Sequence, residues 1–234
     1  MVVSRFRECV VQVSVVIAAH NEAQTIGGVI ERCIAVLEDQ LHELIVVDDG
    51  STDETYLEAR GRGARVIRLV PNRGKGVALR RGIEQSTGDW LVFLDADGQD
   101  DPAEIPKLLA QAGPDVALVN GSRFTGTLNK GAISRPNYWG NLFMTGLLDL
   151  AFGARITDSQ AGFRAIRGDI ARNLKLVSKE YEIETEMLAQ ILRAGHRIVE
   201  VPVNRYARAA GRTDFRRIRN GMRILWTIGR QRML

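Results

Sequence analysis

The sequence predicts an α/β fold in which a mostly parallel central sheet is flanked by helices. Short runs rich in valine, isoleucine and leucine alternate with segments of helical periodicity through the first half of the chain, and this alternation is typical of parallel sheets. Acidic and polar residues follow several of these runs, where open α/β sheets bind their ligands. The 234 residues, 45% hydrophobic and 26% charged, suit one large domain.

Each element is predicted from its own pattern. The first apolar run is nearly continuous in valine and isoleucine, as buried parallel strands are, and the first helical segment carries its apolar residues on one stripe. The predicted strands are residues 10–19, 43–47, 64–69, 90–94, 116–120 and 197–203. The predicted helices are residues 25–39, 53–62, 77–85, 105–112, 137–152, 182–194 and 215–234. Residues 72–76, 121–136, 158–164 and 206–212 are predicted as loops.

Residues 90–99 are the central feature of the sequence. A short apolar strand ends there in two carboxylates, Asp95 and Asp97. On an extended backbone both point to the same side, and they repel each other unless a cation lies between them. Mg²⁺ or Mn²⁺ suits oxygen ligands and also binds phosphates. The alternative is a helix N-cap, but Asp100 or Asp101 can cap the next helix without this pair.

Three further polar motifs are expected at the same edge of the sheet. Asn21-Glu22 follows the first strand, Asp48-Asp49 follows the second, and Lys75 lies in a glycine-flanked loop. Such a cleft suits a base, a ribose and a metal-bound diphosphate, with the lysine adding a point charge. Taken singly, the acidic motif also fits a capped turn and the lysine a solvated side chain.

Bulk properties exclude several classes of protein. A net charge of +4 does not indicate a nucleic-acid partner, and none is expected. Cys9 and Cys33 form no CxxC pair, so free thiols in a reducing compartment are expected. The N-terminus lacks the features of a signal peptide, and no apolar run reaches the ~18 residues of a membrane span. We therefore expect a protein that is soluble or peripheral on a membrane.

The four motifs, in this order, resemble glycosyltransferase family 2 with the GT-A (Rossmann-like) fold. They are VVIAAHNE at 15–22, DDGSTD at 48–53, NRGKG at 72–76 and DADGQ at 95–99. The second half is similar to the dolichyl-phosphate mannose synthase group of polyprenyl-phosphate glycosyltransferases. Its motifs are GSRF at 121–124, DSQAGFR at 158–164, EIETE at 182–186 and EVPV at 200–203. The resemblance covers residues 13 to 212, nearly the whole chain.

The resemblance implies roles for individual residues. Donor binding falls to Ala18, His20 and Glu22 at the nucleotide, Val47 and Asp49 at the base and ribose, Lys75 in its loop, and Asp95, Ala96 and Asp97 at the phosphates. The implied metal ligands are Asp95, Asp97 and Gln99. Arg123, Arg135 and Arg208 match arginines near the transferred sugar and acceptor phosphate, and with Asp95 and Asp97 they form the predicted catalytic set.

Two departures from the family pattern affect these roles. The usual Pro-Ala-Tyr of the first strand is Ala18-Ala19-His20 here, which leaves base stacking and donor identity open. The lysine that often follows a late Gly-x-Ser is Asp214. Arg212, assigned to the acceptor phosphate, or Arg216 or Arg217 then supplies the charge. A single domain is expected over 1–234, with a donor half at about 10–120, an acceptor half at about 121–214 and an amphipathic helix at 215–232.

The second half leaves three alternatives open. Glu184 and Glu186 are either catalytic or part of a solvated helix face. The C-terminal helix carries apolar residues at helical spacing among many arginines. It either packs on the core or lies on an anionic membrane surface, alone or together with residues 137–152. Asp158 is either a general base for a hydroxyl acceptor or a residue that orders the 162–164 loop by pairing with Arg164 or capping N–H groups.

The expected function is transfer of a hexose from a nucleotide sugar, of the GDP-mannose or UDP-glucose type, to a polyprenyl phosphate. The reaction would be inverting and would require Mg²⁺ or Mn²⁺, with arginines holding the acceptor phosphate as the nucleophile. The enzyme would work at the cytoplasmic face of the membrane, by surface contact or through a membrane partner. The alternatives are a family 2 enzyme with a hydroxyl acceptor and a non-catalytic nucleotide-sugar-binding scaffold.

Overall fold

The computed structural model describes residues 11–209 and 216–234. Five features named from the sequence lie outside these residues: Val10 at the start of the first predicted strand, Cys9, Arg212, Asp214, and Phe215 at the start of the last predicted helix. Cys33 is a free, fully buried cysteine, and burial raises the pKa of its thiol to about 12, so it is present as the unreactive thiol.

The described residues form one seven-stranded sheet with the order β3-β2-β1-β4-β6-β5-β7. The strands are β1 Val13–Ala19, β2 Leu41–Asp48, β3 Arg65–Arg68, β4 Trp90–Asp95, β5 Val116–Ser122, β6 Arg164–Arg167 and β7 Arg197–Pro202. Neighbouring strands run parallel except where β6 lies antiparallel between β4 and β5. The predicted mixed α/β architecture with a mostly parallel sheet is confirmed.

Helices cover both faces of the sheet. They are α1 Ile26–Leu37, α2 Thr55–Gly61, α3 Lys75–Gln85, α4 Ile105–Leu109, α5 Arg135–Phe152, α6 Gly168–Asn173, α7 Ile183–Arg193 and α8 Arg217–Met233. Successive strand residues alternate between the two faces. Val15 and Ile17 pack with the core under α1 and α4, whereas Val16 packs with the core formed by α3, α5, α7 and α8.

β6 and α6 were not predicted. The loop expected at residues 158–164 ends where β6 begins, because Arg164 pairs with Phe93 of β4 and Asn120 of β5. Its side chain is 1% exposed and donates hydrogen bonds to the carbonyl oxygens of Glu184 and Ala161. A four-residue strand with arginine at both ends lacks the apolar run on which strand prediction depends.

Three elements begin or end at positions that differ from the predicted ones, and each difference affects a residue of interest. Lys75, expected in a loop, is the first residue of α3. Arg135, expected in the 121–136 loop, is the first residue of α5. β5 continues to Ser122, so the loop that carries Arg123 starts directly at the carboxyl end of that strand.

The C-terminal helix α8 packs against both α5 and α7. Ile224 and Ile228 of α8 are buried in the core, while Ile218, Met222 and Trp226 on another side are exposed. Across the described part of the chain, none of the helices combines the length and apolar character that a membrane crossing requires.

Candidate functional site

A cavity of about 850 Å³ opens where the carboxyl ends of β1, β2 and β4 meet the loops after β5 and β7. Eleven of the residues predicted for the site line it: Ala18, His20, Glu22, Asp49, Lys75, Asp95, Ala96, Asp97, Gln99, Arg123 and Arg208. Val47 does not, because its side chain is fully buried beside Ile45 and Ala78. Arg135 is exposed at the start of α5, outside the cavity lining.

The two carboxylates after β4 face three cationic side chains. Lys75 Nζ lies 2.6 Å from Asp95 Oδ1, and Arg208 Nη2 donates to Asp97 Oδ2 at 2.9 Å. Arg205 Nη2 lies 3.7 Å from Asp95 Oδ2 and 3.9 Å from Asp97 Oδ2. These cations lie where two adjacent carboxylates require positive charge.

The same surroundings separate the proton affinities of the two aspartates. Burial would raise the pKa of Asp95, but Lys75 and Arg205 outweigh it and lower that pKa well below its usual range. Burial and the negative charge of Asp95 instead raise the pKa of Asp97 to about 6. Asp95 is therefore the firmly ionised member of the pair, and Asp97 gains most from an added cation.

Arg205, which the sequence analysis did not single out, is central to the site. It is 8% exposed and lies 2.5 Å from Asp100 Oδ2, in addition to its contacts with the acidic pair. Its Nη2 donates to Gln99 Oε1 at 3.0 Å, and Gln99 Nε2 donates to the carbonyl oxygen of Tyr206 at 2.9 Å. The available signal was its place three residues after the end of β7, in the loop that carries Arg208.

Gln99, predicted as a metal ligand, makes contacts that the prediction did not anticipate. Both ends of its amide are engaged, and Nε2 also reaches the carbonyl oxygen of Ala132 at 3.3 Å. The amide ties the loop after β7 to the loop after β4, so its oxygen is not directed at a cation together with Asp95 and Asp97. The structure leaves these two carboxylates as the protein's candidate metal ligands.

Lys75 is held from two sides. Its Nζ lies 2.8 Å from Oε1 of Glu184 as well as 2.6 Å from Asp95. Glu184 is 4% exposed and lines the cavity, whereas Glu186 is fully buried on another side of α7, where Arg230 pairs with it. The solvated-face alternative for these two glutamates is wrong, since neither side chain reaches solvent to a useful extent.

The glycines beside Lys75 allow another segment to approach closely. A Cβ at Gly74 would lie 2.3 Å from the carbonyl oxygen of Lys179, and one at Gly76 would lie 2.6 Å from that of Ser178. The N–H of Gly76 donates to the Lys179 carbonyl at 2.9 Å. The NRGKG motif thus fixes the lysine at the start of α3 and brings residues 178–181 to the cavity wall.

Asp49 and His20 also line the cavity. Asp49 accepts hydrogen bonds from the N–H groups of Arg73 and Gly74 at 2.8 and 2.7 Å, so it orders the NRGKG loop and presents its remaining acceptor capacity to the cavity. His20 Nδ1 is buried and makes no hydrogen bond within the described residues. Glu22 accepts from Arg208 at 2.5 Å, which links the first strand to the loop after β7.

Asp158 pairs with Arg123. The predicted pair with Arg164 is not formed. Arg123 Nε and Nη2 donate to the two oxygens of Asp158 at 2.6 and 2.7 Å. Asp158 also accepts from the N–H groups of Arg123 and Gln160, so its capping role is confirmed. Its side chain is 0% exposed and does not line the cavity, so it is not placed to act as a general base.

The acidic pair fits a divalent cation that is shared with a phosphate ligand. Among residues 11–209 and 216–234, no cluster of three or more His, Cys, Asp and Glu side chains could hold a metal ion. Two carboxylates are nevertheless the protein contribution expected when substrate phosphates and water complete the coordination of Mg²⁺. The pair offers only oxygen ligands, and cationic side chains lie beside it where a metal ion would balance its charge. Both observations agree with a cation shared with a phosphate ligand.

Comparison with known proteins identifies relatives of the chain. Residues 14–174 match the family described as glycosyl transferase family 2. The chain is 35% identical to glucosyl-3-phosphoglycerate synthase of Mycolicibacterium smegmatis, with 76% of this chain and 58% of the relative covered. It is 30% identical to dolichol-phosphate mannosyltransferase of Pyrococcus furiosus, with 88% and 59% covered. For dolichyl-phosphate beta-glucosyltransferase of Drosophila melanogaster the identity is 34%, with 76% and 61% covered.

Solved structures show the same architecture. Glucosyl-3-phosphoglycerate synthase from Mycobacterium tuberculosis, in complex with Mn²⁺, UDP and phosphoglyceric acid, superposes with a TM-score of 0.75 at 26% identity and covers 95% of this chain and 78% of that chain. Its complex with Mn²⁺ and UDP-glucose gives a TM-score of 0.75 at 27% identity, with 96% and 80% covered. The chain spans 58% to 61% of the length of the three curated relatives above.

Proposed function

Because the chain belongs to glycosyl transferase family 2, we propose that it transfers a hexose from a nucleotide sugar to the phosphate group of a polyprenyl phosphate. The observation that carries the proposal is the pair Asp95 and Asp97 at the end of β4. In the cavity this pair lies within ion-pair distance of Lys75, Arg205 and Arg208. These groups suit a diphosphate with a divalent cation. GDP-mannose and UDP-glucose are the donor types that we consider.

On this proposal Asp95 and Asp97 hold Mg²⁺ or Mn²⁺. When bound, the cation neutralises charge on the departing nucleoside diphosphate. Lys75 and Arg205 add fixed positive charge on the same side of the cavity, and Glu184 keeps Lys75 in place. His20, Glu22 and Asp49 lie at the end of the cavity that we assign to the nucleoside.

The placement of Asp158, the residue predicted as a possible general base, bears on the nature of the nucleophile. A hydroxyl acceptor requires a general base within hydrogen-bond reach, and Asp158 is buried behind Arg123. A phosphate monoester is already ionised at neutral pH and needs only to be oriented. This supports a phosphate acceptor, which would attack the anomeric carbon and invert its configuration.

We propose that α5 and α8 bring the enzyme to the lipid. Trp139 and Phe143 of α5 are 68% and 59% exposed, and Met222 and Trp226 of α8 are 63% and 68% exposed. Each pair is spaced four residues apart on one face of its helix, and arginines of α8 border its apolar stripe. An apolar face with basic borders is typical of helices that lie in the surface of an anionic membrane.

Such binding would place the protein at the periphery of the membrane. We assign the cytoplasmic face, in keeping with the free thiol of Cys33 and a reducing compartment. A separate membrane protein that docks on the same helices is the other way in which the acceptor could be delivered.

A phosphorylated hydroxy acid is the second candidate acceptor. The relatives include glucosyl-3-phosphoglycerate synthases, and the cavity of about 850 Å³ has space for a small molecule. In that reaction a hydroxyl group attacks, so the two candidates differ in the need for a base.

A transfer assay with both acceptors tests the proposal. GDP-mannose, UDP-glucose and related donors are incubated with the full chain, Mg²⁺ or Mn²⁺, and either a short-chain polyprenyl phosphate or 3-phosphoglycerate. We expect an acid-labile sugar phosphodiester of the lipid as the product. Turnover with 3-phosphoglycerate alone would assign the second candidate, and donor binding without any transfer would favour the scaffold alternative.

A further inference from the structure

Two arginines of α8 converge on one carboxylate at the cavity wall. Arg219 Nη2 and Arg223 Nη1 lie 3.6 and 3.3 Å from the same oxygen, Oε1 of Glu180. The arginines are four residues apart, so they occupy one face of the helix. Arg219 and Glu180 line the cavity, and the side chain of Glu180 is 28% exposed.

The contact uses little of the hydrogen-bonding capacity that the two guanidinium groups offer. Charge-assisted N–H···O⁻ bonds are usually about 2.7–2.9 Å long, and both distances exceed that range. Arg223 Nη1 is buried yet makes no hydrogen bond within the described part of the chain. Two guanidinium groups, each with five N–H donors, thus share one carboxylate oxygen. A single oxygen is a poor match for either group.

A third polar side chain lies between the two arginines. Asn220 is 4% exposed and lines the cavity. Its amide can donate to and accept from a ligand in the cavity.

Of the arginines expected to hold the acceptor phosphate, the three that lie within the described residues are engaged or distant. Arg123 makes a two-point pair with Asp158, and Arg208 bridges Glu22 and Asp97. Arg135 is exposed and does not line the cavity. On α8, Arg219 and Arg223 instead share one carboxylate oxygen, at distances longer than a charge-assisted hydrogen bond.

We propose that Arg219, Asn220 and Arg223 form a binding site for a phosphate monoester, which Glu180 occupies until the ligand displaces it. A phosphate brings three acceptor oxygens and nearly two negative charges at neutral pH, and therefore satisfies two guanidinium groups better than a carboxylate does. The ligand is the phosphate end of the acceptor lipid, an identification that rests on the proposed function. On release, Glu180 is free to turn into the cavity.

Calorimetry on the full chain, without donor or metal, tests the site directly. The probes are inorganic phosphate and a short-chain prenyl monophosphate. Glu180→Gln removes the competing charge, and we expect it to bind the prenyl phosphate about tenfold more tightly than the unmodified protein. The double variant Arg219→Gln/Arg223→Gln should bind it at least ~10-fold more weakly. Arg60→Gln, an exposed arginine on α2, is the charge-matched control and should change nothing.

Vesicles with and without phosphatidylglycerol distinguish an acceptor phosphate from a phospholipid headgroup. We expect Glu180→Gln to leave vesicle binding unchanged. If it strengthens binding to phosphatidylglycerol vesicles but not to prenyl phosphate, the acceptor site is overturned. Unchanged prenyl phosphate affinity in Glu180→Gln, or full affinity in the double variant, overturns it as well, provided thermal unfolding shows each variant to be folded.

The transfer assay keeps this inference separate from the proposed function. If the unmodified protein glycosylates the prenyl phosphate and the double arginine variant retains its acceptor KM, the site is wrong and the function stands. If prenyl phosphate binds at this site but no donor is ever transferred to it, the function fails and the site stands.

Discussion

Apart from Asp49, which accepts from backbone N–H groups, the buried carboxylates discussed above have cationic partners, and those pairs define what single residues do. Asp158 holds Arg123 by two hydrogen bonds and caps the chain at Gln160. Asp95 and Asp97 instead share cations that belong to two different segments, the start of α3 and the loop after β7. The first arrangement is a closed structural pair, whereas the second is suited to exchange its cations for a ligand.

Asp158→Asn should therefore affect stability more than chemistry. The change leaves the buried Arg123 guanidinium without its counter-charge, which costs about 3 kcal/mol of the free energy of unfolding. Because Asp158 is not the base, the acidic limb of the pH–rate profile should persist. Denaturant unfolding and a pH profile of kcat/KM measure the two effects.

Asp115→Asn is the matched control for that variant. Asp115 pairs with Arg197 where both side chains are 62% exposed, and an exposed pair contributes little. A folded Asp158→Asn protein that loses activity by ~10²-fold or more, and loses the acidic limb with it, would show that Asp158 is a general base.

Site residues could be predicted when they belonged to a recognisable motif. Asp95, Asp97 and Lys75 were found because a short motif after a strand predicts a place in the cleft. Arg205 was missed because a single arginine in a basic loop gives no sign of being buried among three aspartates. Val47 was expected at the base and ribose, but its side chain packs in the core and does not line the cavity.

At the scale of elements, α7 connects the cavity with the C-terminal helix. Glu184 faces Lys75, and Glu186, two residues further along, faces α8. Glu186 accepts hydrogen bonds from the N–H groups of Val177 and Ser178 at 3.0 and 2.8 Å and pairs with Arg230. One buried carboxylate thus fixes the segment that leads to Glu180 against the helix that we assign to the membrane surface.

Glu186→Gln should loosen this junction. It removes the charge from a buried acceptor of several hydrogen bonds, so we expect a loss of about 2 kcal/mol in the free energy of unfolding, because Arg230 is partly screened by solvent. Hydrogen exchange should increase in residues 177–181 and in α8. Glu84→Gln, at a side chain that is 60% exposed, should stay within about 0.5 kcal/mol of the unmodified protein. Equal stability of the two variants would refute this role for Glu186.

Elements were predictable where the sequence has a clear period. The parallel strands and most helices were anticipated within a few residues, and the expected GT-A fold is confirmed by the structural neighbours. β6 was not anticipated because its four residues gain their stability from pairing with β4 and β5. Such pairing is a tertiary effect that no local pattern encodes.

At the scale of the whole molecule, the cavity opens beside the two helices with exposed aromatic residues. Arg216, Arg217 and Arg219 at the start of α8 line the cavity, and Trp226 lies further along the same helix. A lipid whose chain stays in the membrane could then place its phosphate at the cavity wall. On the proposed function, the protein would bind a membrane surface through α5 and α8.

Replacing both exposed tryptophans should weaken this binding. Trp139→Ser together with Trp226→Ser removes two large apolar side chains, and we expect at least ~10-fold weaker partition onto anionic vesicles. Added salt should weaken the binding of the unmodified protein. Leu57→Ser, at a residue that is 64% exposed on α2, is the control. Vesicle binding that resists both the substitutions and salt would exclude this face.

The central claim is that Asp95 and Asp97 bind the divalent cation that carries the donor diphosphate. Calorimetric binding of UDP and GDP, with Mn²⁺ and then with excess chelator, tests it most directly. We expect one of the two nucleotides to bind at least ~10-fold more tightly with Mn²⁺, and Asp97→Asn to abolish that difference. Asp101→Asn, which retains a capping side chain, should preserve it. Equal affinity in chelator, or an Asp97→Asn protein that keeps the full Mn²⁺ effect, would contradict the account.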